Sequence, residues 1–173
     1  GYGDGTTSGS RVSPVEVPGL TNVVDVAVGQ HHACAVRGDG RLLCWGYNSS
    51  GQLGLGDSTS RSTPTEVAGI LDAVEVGAMT SATCVRRGSP GAYYVTCWGA
   101  SSSLGTGATG GANAPGANVV GLPGNLAGFS HGISGGGICV YTTDGDAYCW
   151  GSAAGSGGGR HALPLGAAPT AVL

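Results

Sequence analysis

Short apolar runs, rich in β-branched residues and separated by glycine-rich polar turns, recur along the chain. Val23–Val28 and His32–Val36 are two such runs, and the turn Gly38–Gly40 leads into a third, Arg41–Trp45. A loop rich in glycine, serine and asparagine then leads to a fourth run at Pro64–Val67. Runs of this length, bounded by turn residues, are typical of β-strands joined by hairpins. The pattern predicts four short antiparallel strands in roughly 50 residues.

The same succession of strands is repeated along the chain. The triplet Cys-Trp-Gly occurs three times, at intervals of roughly 50 residues, and Pro-x-x-Val segments accompany it. The tryptophans of the triplets are Trp45, Trp98 and Trp150. The repeat alignment matches Val26–Gly29 with Val74–Gly77, and Gly3–Thr6 with Gly56–Thr59. Because so many positions align, we predict that the whole chain is built from repeats.

Four short strands in each repeat indicate the blade of a β-propeller. We predict an all-β fold of about three blades, each of four short antiparallel strands, with one surplus strand at one end of the chain. A β-solenoid is the structural alternative, although its coils are usually shorter than these repeats. The predicted single repeat domain, 1–173, is divided into a partial repeat (1–22), two full repeats (23–70 and 71–125) and a degenerate repeat (126–173).

All six cysteines fit a scheme of disulfides within hairpins. If Asp39 and Asp144 each lie at the centre of a turn, a cysteine on one strand lies directly opposite a cysteine on the next. The middle repeat needs a longer turn, for which Arg87–Tyr93 has room. Opposed residues at a non-hydrogen-bonded pair are close enough for a disulfide. The predicted pairs are Cys34–Cys44, Cys84–Cys97 and Cys139–Cys149.

A metal site is the alternative explanation for the cysteines, but their spacing differs from the close pairs of a zinc knuckle. Disulfides are rare in the cytosol, so the scheme predicts an extracellular or cell-surface protein. Short-loop disulfides also stabilise a chain in which large apolar residues are scarce.

Composition argues against several classes of function. The chain of 173 residues contains 36 glycines and 8 prolines, only 10% of its residues are charged, and its net charge is −3. All seven basic residues are arginines and the pI is about 5.7, which argues against a binder of nucleic acid or of anionic membranes. No apolar stretch is long enough for a transmembrane helix. We therefore expect no nucleic-acid partner and no membrane insertion.

Few side chains have the spacing that catalysis or metal binding requires. His31, His32 and Cys34 could supply a base and a nucleophile, but the cysteine has a predicted disulfide partner and no orienting group joins them. Asp57 and Asp144–Asp146 could supply calcium ligands, yet an Asp-Gly turn explains the second and no EF-hand spacing surrounds either. We predict no enzymatic activity, no cofactor and no metal, and we interpret the three tryptophans as anchors of the blade cores.

Asn48-Ser-Ser50 forms an N-glycosylation sequon on a predicted surface loop. The sequence leaves open whether this sequon is used.

The first full repeat resembles the regulator of chromosome condensation repeat. The resemblance lies in Gly29–Val36, Asp39-Gly40, Cys44–Asp57 and Pro64–Val67. The second repeat keeps Cys-Trp-Gly and Leu104–Gly107, and the third keeps its two cysteines and Cys-Trp-Gly. The paired cysteines resemble the version of the repeat common in secreted bacterial proteins. The resemblance implies a β-propeller, usually of seven blades, that serves as a platform for protein partners, as in exchange factors for small GTPases, inhibitors of other proteins and surface modules.

Three repeats are too few to close a propeller, which typically needs about four to eight blades. Open sheet edges and an unmatched strand invite strand addition from another chain. We therefore expect a non-enzymatic extracellular structural protein that pairs with itself and assembles into a filament or a ring. The alternative is a secreted protein- or glycan-binding module, or part of a longer propeller. The candidate inter-subunit residues are Pro14, Val15, Glu16, Val17, Pro169, Thr170, Ala171 and Val172.

Overall fold

The computed structural model describes residues 2–6, 12–100, 104–107, 111–130, 137–151 and 161–163. Within these ranges the chain forms short strands joined by turns and loops, and no helix is long and apolar enough to cross a membrane. The strands in chain order are β1 (Val23–Val28), β2 (His32–Arg37), β3 (Leu42–Gly46), β4 (Arg61–Glu66), β5 (Ala73–Ala78), β6 (Ala82–Arg87), β7 (Tyr94–Gly99), β8 (Leu126–Ser130), β9 (Gly137–Thr142), β10 (Ala147–Gly151) and β11 (His161–Leu163).

The strands form three antiparallel sheets, each made from consecutive strands. Blade 1 has the order β1-β2-β3-β4 and blade 3 the order β8-β9-β10-β11, so both are four-stranded meanders. Blade 2 is β5-β6-β7, and isolated bridges from Asn118 to Thr96 and from Ala112 to Gly99 lie along its outer edge. The predicted all-β fold of blade-like antiparallel sheets is confirmed.

An Asp-Gly turn closes the central hairpin in blades 1 and 3. Gly40 has a φ of +80° and Gly145 a φ of +91°, a region that glycine enters without steric cost. The amide of Gly40 donates to the carbonyl of Arg37 at 2.9 Å, and the amide of Gly145 donates to that of Thr142 at 3.1 Å. The two turns thereby set the register of the strands that carry the cysteines.

The apolar core lies between successive blades. Side chains alternate between the two faces of a sheet, so one face of a blade meets the preceding blade and the other meets the following one. The core between blades 1 and 2 includes Ala27, Val36, Leu42, Leu53, Val67, Ile70, Ala73, Val76, Val85 and Trp98. The core between blades 2 and 3 includes Met79, Val95, Leu104, Val119, Leu126, Phe129, Ile138, Val140 and Trp150.

The predicted surplus strand at Pro14–Val17 is not a strand in the structure. An outer strand such as β4 pairs with the third strand of its blade. The described residues contain no third strand before blade 1 with which Pro14–Val17 could pair. Pro14, Val15 and Glu16 are exposed, and only Val17 lies near blade 1, where it and Trp45 both approach Gly3. At the other end, β11 is the outer strand of blade 3, and Pro169–Val172 lies outside the described residues.

Two of the alignments made from sequence are wrong by two residues. Gly3 is equivalent to Gly54, because each packs on the tryptophan of the following blade. In the innermost strands Val26 is equivalent to Val76, since each follows an irregularity in the ladder and opposes the same position of the next strand. The same residue types occur two positions away from the true equivalents, so matching by residue type gave the wrong pairs. Strand pairing determines which positions are equivalent.

Candidate interaction surface

Each blade carries a disulfide between its second and third strands. The predicted pairs are the ones that the structure joins: Cys34–Cys44, Cys84–Cys97 and Cys139–Cys149. In every pair the Cα atoms are 4.1 Å apart, close to the separation of directly opposed residues at a non-hydrogen-bonded pair. Since Cys34 is oxidised, the group of His31, His32 and Cys34 has no thiol nucleophile.

A glycine loop from the preceding repeat covers each tryptophan. A Cβ added to Gly54 would lie 2.5 Å from Nε1 of Trp98, so only glycine leaves room for the ring. The same relation joins Gly3 to Trp45 and Gly105 to Trp150. All three tryptophans are buried, and they pack as core residues where one repeat meets the next.

A chain of buried hydrogen bonds joins blade 1 to blade 2. Nε1 of Trp98 donates to the carbonyl of Gln52 at 3.1 Å, and the hydroxyl of Thr83 donates to the same carbonyl at 2.8 Å. Because that hydroxyl proton is already used, Thr83 Oγ1 accepts from Nε2 of His32 at 2.9 Å. Burial, with the neighbouring His31 as a smaller cause, lowers the pKa of His32 to about 4. His32 is therefore neutral near pH 7 and carries its proton on Nε2.

A carboxylate on the innermost strand of one blade binds the backbone of the next blade. Oδ2 of Asp25 accepts from the amide of Val76 at 2.7 Å. Oε1 of Glu75 accepts from the amide of Phe129 at 3.0 Å, while its Oε2 accepts from Nε of Arg86 at 2.9 Å. Blades 1 and 2 thus use the same device to hold the blade that follows them.

Neither of these carboxylates was predicted from the sequence. Their signal is the triplet Val-Asp-Val at 24–26, which recurs as Val-Glu-Val at 74–76. The two-residue error in the alignment concealed this recurrence.

Three valines of blade 1 face away from blade 2 and are exposed. Val26 is 55% exposed and Val28 is 67% exposed, whereas Val76, which is equivalent to Val26, is fully buried. We call Val23, Val26 and Val28 the open valine face. Their equivalents in blade 2 are Ala73, Val76 and Ala78, all of which pack in the core between blades 1 and 2. Blade 1 therefore presents to solvent a surface that blade 2 buries.

The small core behind the open valine face is only half of an inter-blade core. It consists of Ala33, Ala35 and Trp45, with Leu20 packed against them. The inter-blade cores on the other side of blade 1 and beyond draw buried residues from two blades. Among the described residues, this cluster draws only on blade 1 and on Leu20 before it.

The carboxylates considered as calcium ligands are engaged in local structure. Oδ2 of Asp57 accepts from Nη2 of Arg61 at 2.8 Å, and Oδ2 of Asp144 accepts from Nδ2 of Asn125 at 2.7 Å. In the part of the chain that the structure describes, no group of three or more His, Cys, Asp or Glu side chains could hold a metal ion.

Asn48 of the sequon is fully buried, contrary to the expectation of a surface position. Its Oδ1 accepts from the amide of Leu53 at 2.9 Å, and its Nδ2 donates to the carbonyls of Asp57 and Thr59 at 3.0 and 3.1 Å. The side chain holds the loop between β3 and β4 and is not accessible for glycosylation in the folded chain.

Comparison with known proteins identifies the repeat. Models of the regulator of chromosome condensation (RCC1) repeat match residues 23–52 and 39–84. Over 46 residues the chain is 44% identical to Protein pim1 of Schizosaccharomyces pombe, in a match that covers 27% of this chain and 8% of pim1. The chain thus spans a small part of that relative.

Solved structures of similar fold cover most of the chain. Human WBSCR16 is 23% identical with a TM-score of 0.63, over 87% of this chain and 41% of that protein. Yeast RCC1 (Prp20), solved bound to Kap60, is 20% identical with a TM-score of 0.60, over 77% of this chain and 33% of that one. The likeness at these identities concerns the fold, and this chain spans less than half the length of either protein.

Three consecutive meander sheets, each packed on the next through a shared core, define a segment of a β-propeller. Within this segment, residues 23–84 match the regulator of chromosome condensation repeat.

Proposed function

We propose that the protein is a non-enzymatic, extracellular propeller module that functions by associating with protein through the open valine face. The observation that carries the proposal is the contrast between Val26, which is 55% exposed, and its buried equivalent Val76. Burying an exposed valine completely contributes about 1.5–3 kcal/mol. Covering three half-exposed valines would therefore contribute on the order of 3 kcal/mol to association.

The disulfides support an extracellular location. All six cysteines form disulfides. In the cytosol of most organisms cysteines are kept reduced, so three disulfides are typical of an oxidising compartment outside it. Each bond closes a short loop within a hairpin and contributes about 2–3 kcal/mol to stability.

The side chains considered for catalysis, and the carboxylates between the blades, are engaged in structural contacts, which supports a role in binding rather than in catalysis. His32 is neutral and bonded to Thr83, Cys34 is oxidised, and the carboxylates of Asp25 and Glu75 hold backbone amides. Prp20, a propeller of similar fold, was solved bound to Kap60 and binds Gsp1p and histones. Protein association is therefore the activity that this kind of module supports best.

Head-to-tail assembly of copies into a ring or a filament is the second candidate. It is favoured by Pro14–Val17, which matches the outer-strand segment Pro64–Val67 but joins none of the sheets that the described residues form. In such an assembly this segment of one copy would meet blade 3 of its neighbour.

Sedimentation velocity of the protein isolated from its source tests the proposal. We expect a native particle heavier than the 16.7 kDa chain, and we expect Val28→Lys to dissociate it. Leu71→Lys is the matched control, because Leu71 is 63% exposed and Val28 is 67% exposed but Leu71 lies just before β5, outside the open valine face. A native particle of chain mass, or one that Val28→Lys leaves intact, would overturn the proposal. Particles built only from this chain would support self-assembly.

A further inference from the structure

We propose that the open valine face docks one further blade of the same repeat type, and that this blade carries a carboxylate at the position of Asp25 and a guanidinium at the position of Arg41. This proposal rests on the proposed function and specifies the chemistry of the partner. A blade of this kind resembles blade 1 of the chain itself. It does not resemble blade 3, which a second copy would present in a head-to-tail contact.

The carboxylate follows from the two interfaces inside the chain. Asp25 of blade 1 accepts from the amide of Val76, and Glu75 of blade 2 accepts from the amide of Phe129. In each interface the preceding blade supplies the acid, and the following blade supplies the amide at one fixed position of its innermost strand. Val26 occupies that position in blade 1.

The amide of Val26 is directed to receive such an acid. In β1 the amide of Gly29 donates to the carbonyl of His32 at 2.9 Å. In an antiparallel ladder, hydrogen-bonded pairs alternate with pairs that are not hydrogen-bonded. Gly29 is in a bonded pair, so Ala27, two residues earlier, is in the next one. Val26 lies in a pair that is not bonded, and its amide therefore points away from β2. It therefore faces the free inner edge of the blade, as the amide of Val76 does where Asp25 reaches it.

Blade 3 lacks the acid that a head-to-tail contact would need. Its innermost strand has the same irregularity in the ladder, but Gly128 stands where blades 1 and 2 have Asp25 and Glu75. A Cβ on Gly128 would lie 2.6 Å from Oη of Tyr141, so the tyrosine occupies the space of the missing side chain. Blade 3 of a second copy could cover the valines, but at this position it offers no carboxylate to bind the amide of Val26.

The guanidinium follows from the outer strand. Arg41, just before β3, forms an ion pair with Glu66 at the end of β4 in the same blade. Glu16 holds the place of Glu66 in the segment Pro14–Val17, so the third strand of a preceding blade would bring its residue at the Arg41 position to Glu16.

In blade 3 the residue at the Arg41 position is Asp146. The equivalence follows from the turns. The backbone amide of Arg37 donates to the carbonyl of Arg41, and the backbone amide of Thr142 donates to the carbonyl of Asp146, both at 2.9 Å. Glu16 of a second copy would thus meet a like charge, which is unfavourable. The outer edge of β10 is moreover already paired with β11. Charge and strand pairing both disfavour blade 3 as the occupant.

A lengthened chain tests the proposal directly. In the lengthened chain, residues 1–63 are joined directly to residues 14–173. A copy of blade 1 then precedes the original blade 1, and Pro14–Val17 takes the place of Pro64–Val67 at the junction. The added blade then places its Asp25 beside the amide of the original Val26 and its Arg41 beside the original Glu16. Amide exchange of the original Val26 reports the first contact, and the amide of Val76 in the same molecule is the internal control for folding.

We expect the amide of Val26 to exchange roughly tenfold or more slowly in the lengthened chain than in the unmodified chain, because a hydrogen bond to a charged acceptor must open first. Asp25→Gly in the added blade alone, which copies Gly128, should remove this protection, and Asp25→Asn should remove part of it. Arg41→Asp in the added blade, which copies Asp146, should lower the melting temperature of the lengthened chain. Val76 should stay protected in all three variants.

The proposal fails if Val26 exchanges as fast in the lengthened chain as in the unmodified one while Val76 is protected, or if Asp25→Gly leaves Val26 protected. It also fails if concentrating the unmodified chain protects Val26, since blade 3 of a second copy would then suffice. These outcomes are independent of the sedimentation experiment on the native particle. A native particle that dissociates with Val28→Lys, together with unchanged exchange at Val26, would retain the proposed function and reject the blade chemistry.

Discussion

Oδ2 of Asp25 in the first blade accepts the amide of Val76 in the second blade at 2.7 Å, across 51 positions of the chain. The bond is charge-assisted, and it ties the backbone of one sheet to a side chain of another. Glu75 repeats the contact with Phe129 one blade further on. The packing of one blade on the next is therefore stabilised by a hydrogen bond at a fixed position of the repeat as well as by the apolar cores.

Replacement of Asp25 should loosen the contact between blades 1 and 2. Asp25→Ala leaves the amide of Val76 without its acceptor, and we expect a loss of about 1.5–3 kcal/mol in the free energy of unfolding, measured with urea. Asp39→Ala is the control, because Asp39 lies on an exposed turn, where its ion pairs with Arg37 and Arg41 contribute about 0–1 kcal/mol each and its bond to the Arg41 amide is long, at 3.3 Å. Equal losses for both variants would contradict the assigned role of Asp25.

Acid should destabilise the protein through His32. Its pKa is about 4 in the folded chain and 6.5 as an unperturbed group, so between these values the unfolded chain binds a proton that the folded chain does not. This contribution to stability is fully present above pH 6.5 and is lost as the pH falls toward 4, by about 3 kcal/mol in total.

His32→Gln should flatten the dependence of unfolding free energy on pH over this window, since glutamine keeps a donor for Thr83 but does not titrate. The neighbouring substitution His31→Gln should leave most of the slope in place. A slope that survives His32→Gln would show that another group is responsible.

The glycine loops offer a matched pair of substitutions. A Cβ on Gly54 would lie 2.5 Å from Nε1 of Trp98, whereas nothing lies within 4 Å of a Cβ on Gly56. Both glycines have positive φ, of +73° and +82°. Gly56→Ala should therefore cost only the backbone strain of about 1–2 kcal/mol, while Gly54→Ala should cost about 1–3 kcal/mol more because it overpacks the tryptophan. Chemical denaturation of the two variants compares these values, and similar losses would refute the packing argument.

Loss of one disulfide should lower stability without changing the fold. The double variant Cys84→Ala, Cys97→Ala removes the bond of blade 2, and we expect a loss of about 2–3 kcal/mol in the free energy of unfolding. Peptide mapping of the unreduced wild-type chain should find the same three pairs and no free thiol. Bridges between blades, or free thiols in the native protein, would be incompatible with the structure.

The sequence by itself determined the features that depend on neighbours along the chain. Strand runs, hairpin turns and disulfide pairs all follow from local spacing, because a tight turn at Asp39 or Asp144 dictates which residues face each other across the hairpin. The repeat of Cys-Trp-Gly was enough to predict blades, since each blade is one such local unit.

The tertiary structure alone decided which face of each blade meets the next. Alternation along a strand separates two faces but does not say which of them packs on a neighbour. For that reason the role of Asp25, the burial of Asn48 and the exposure of Val26 could not be predicted from the sequence. The first two depend on groups that the packing of blades or loops brings close together. The exposure of Val26 depends on which face of blade 1 packs against blade 2.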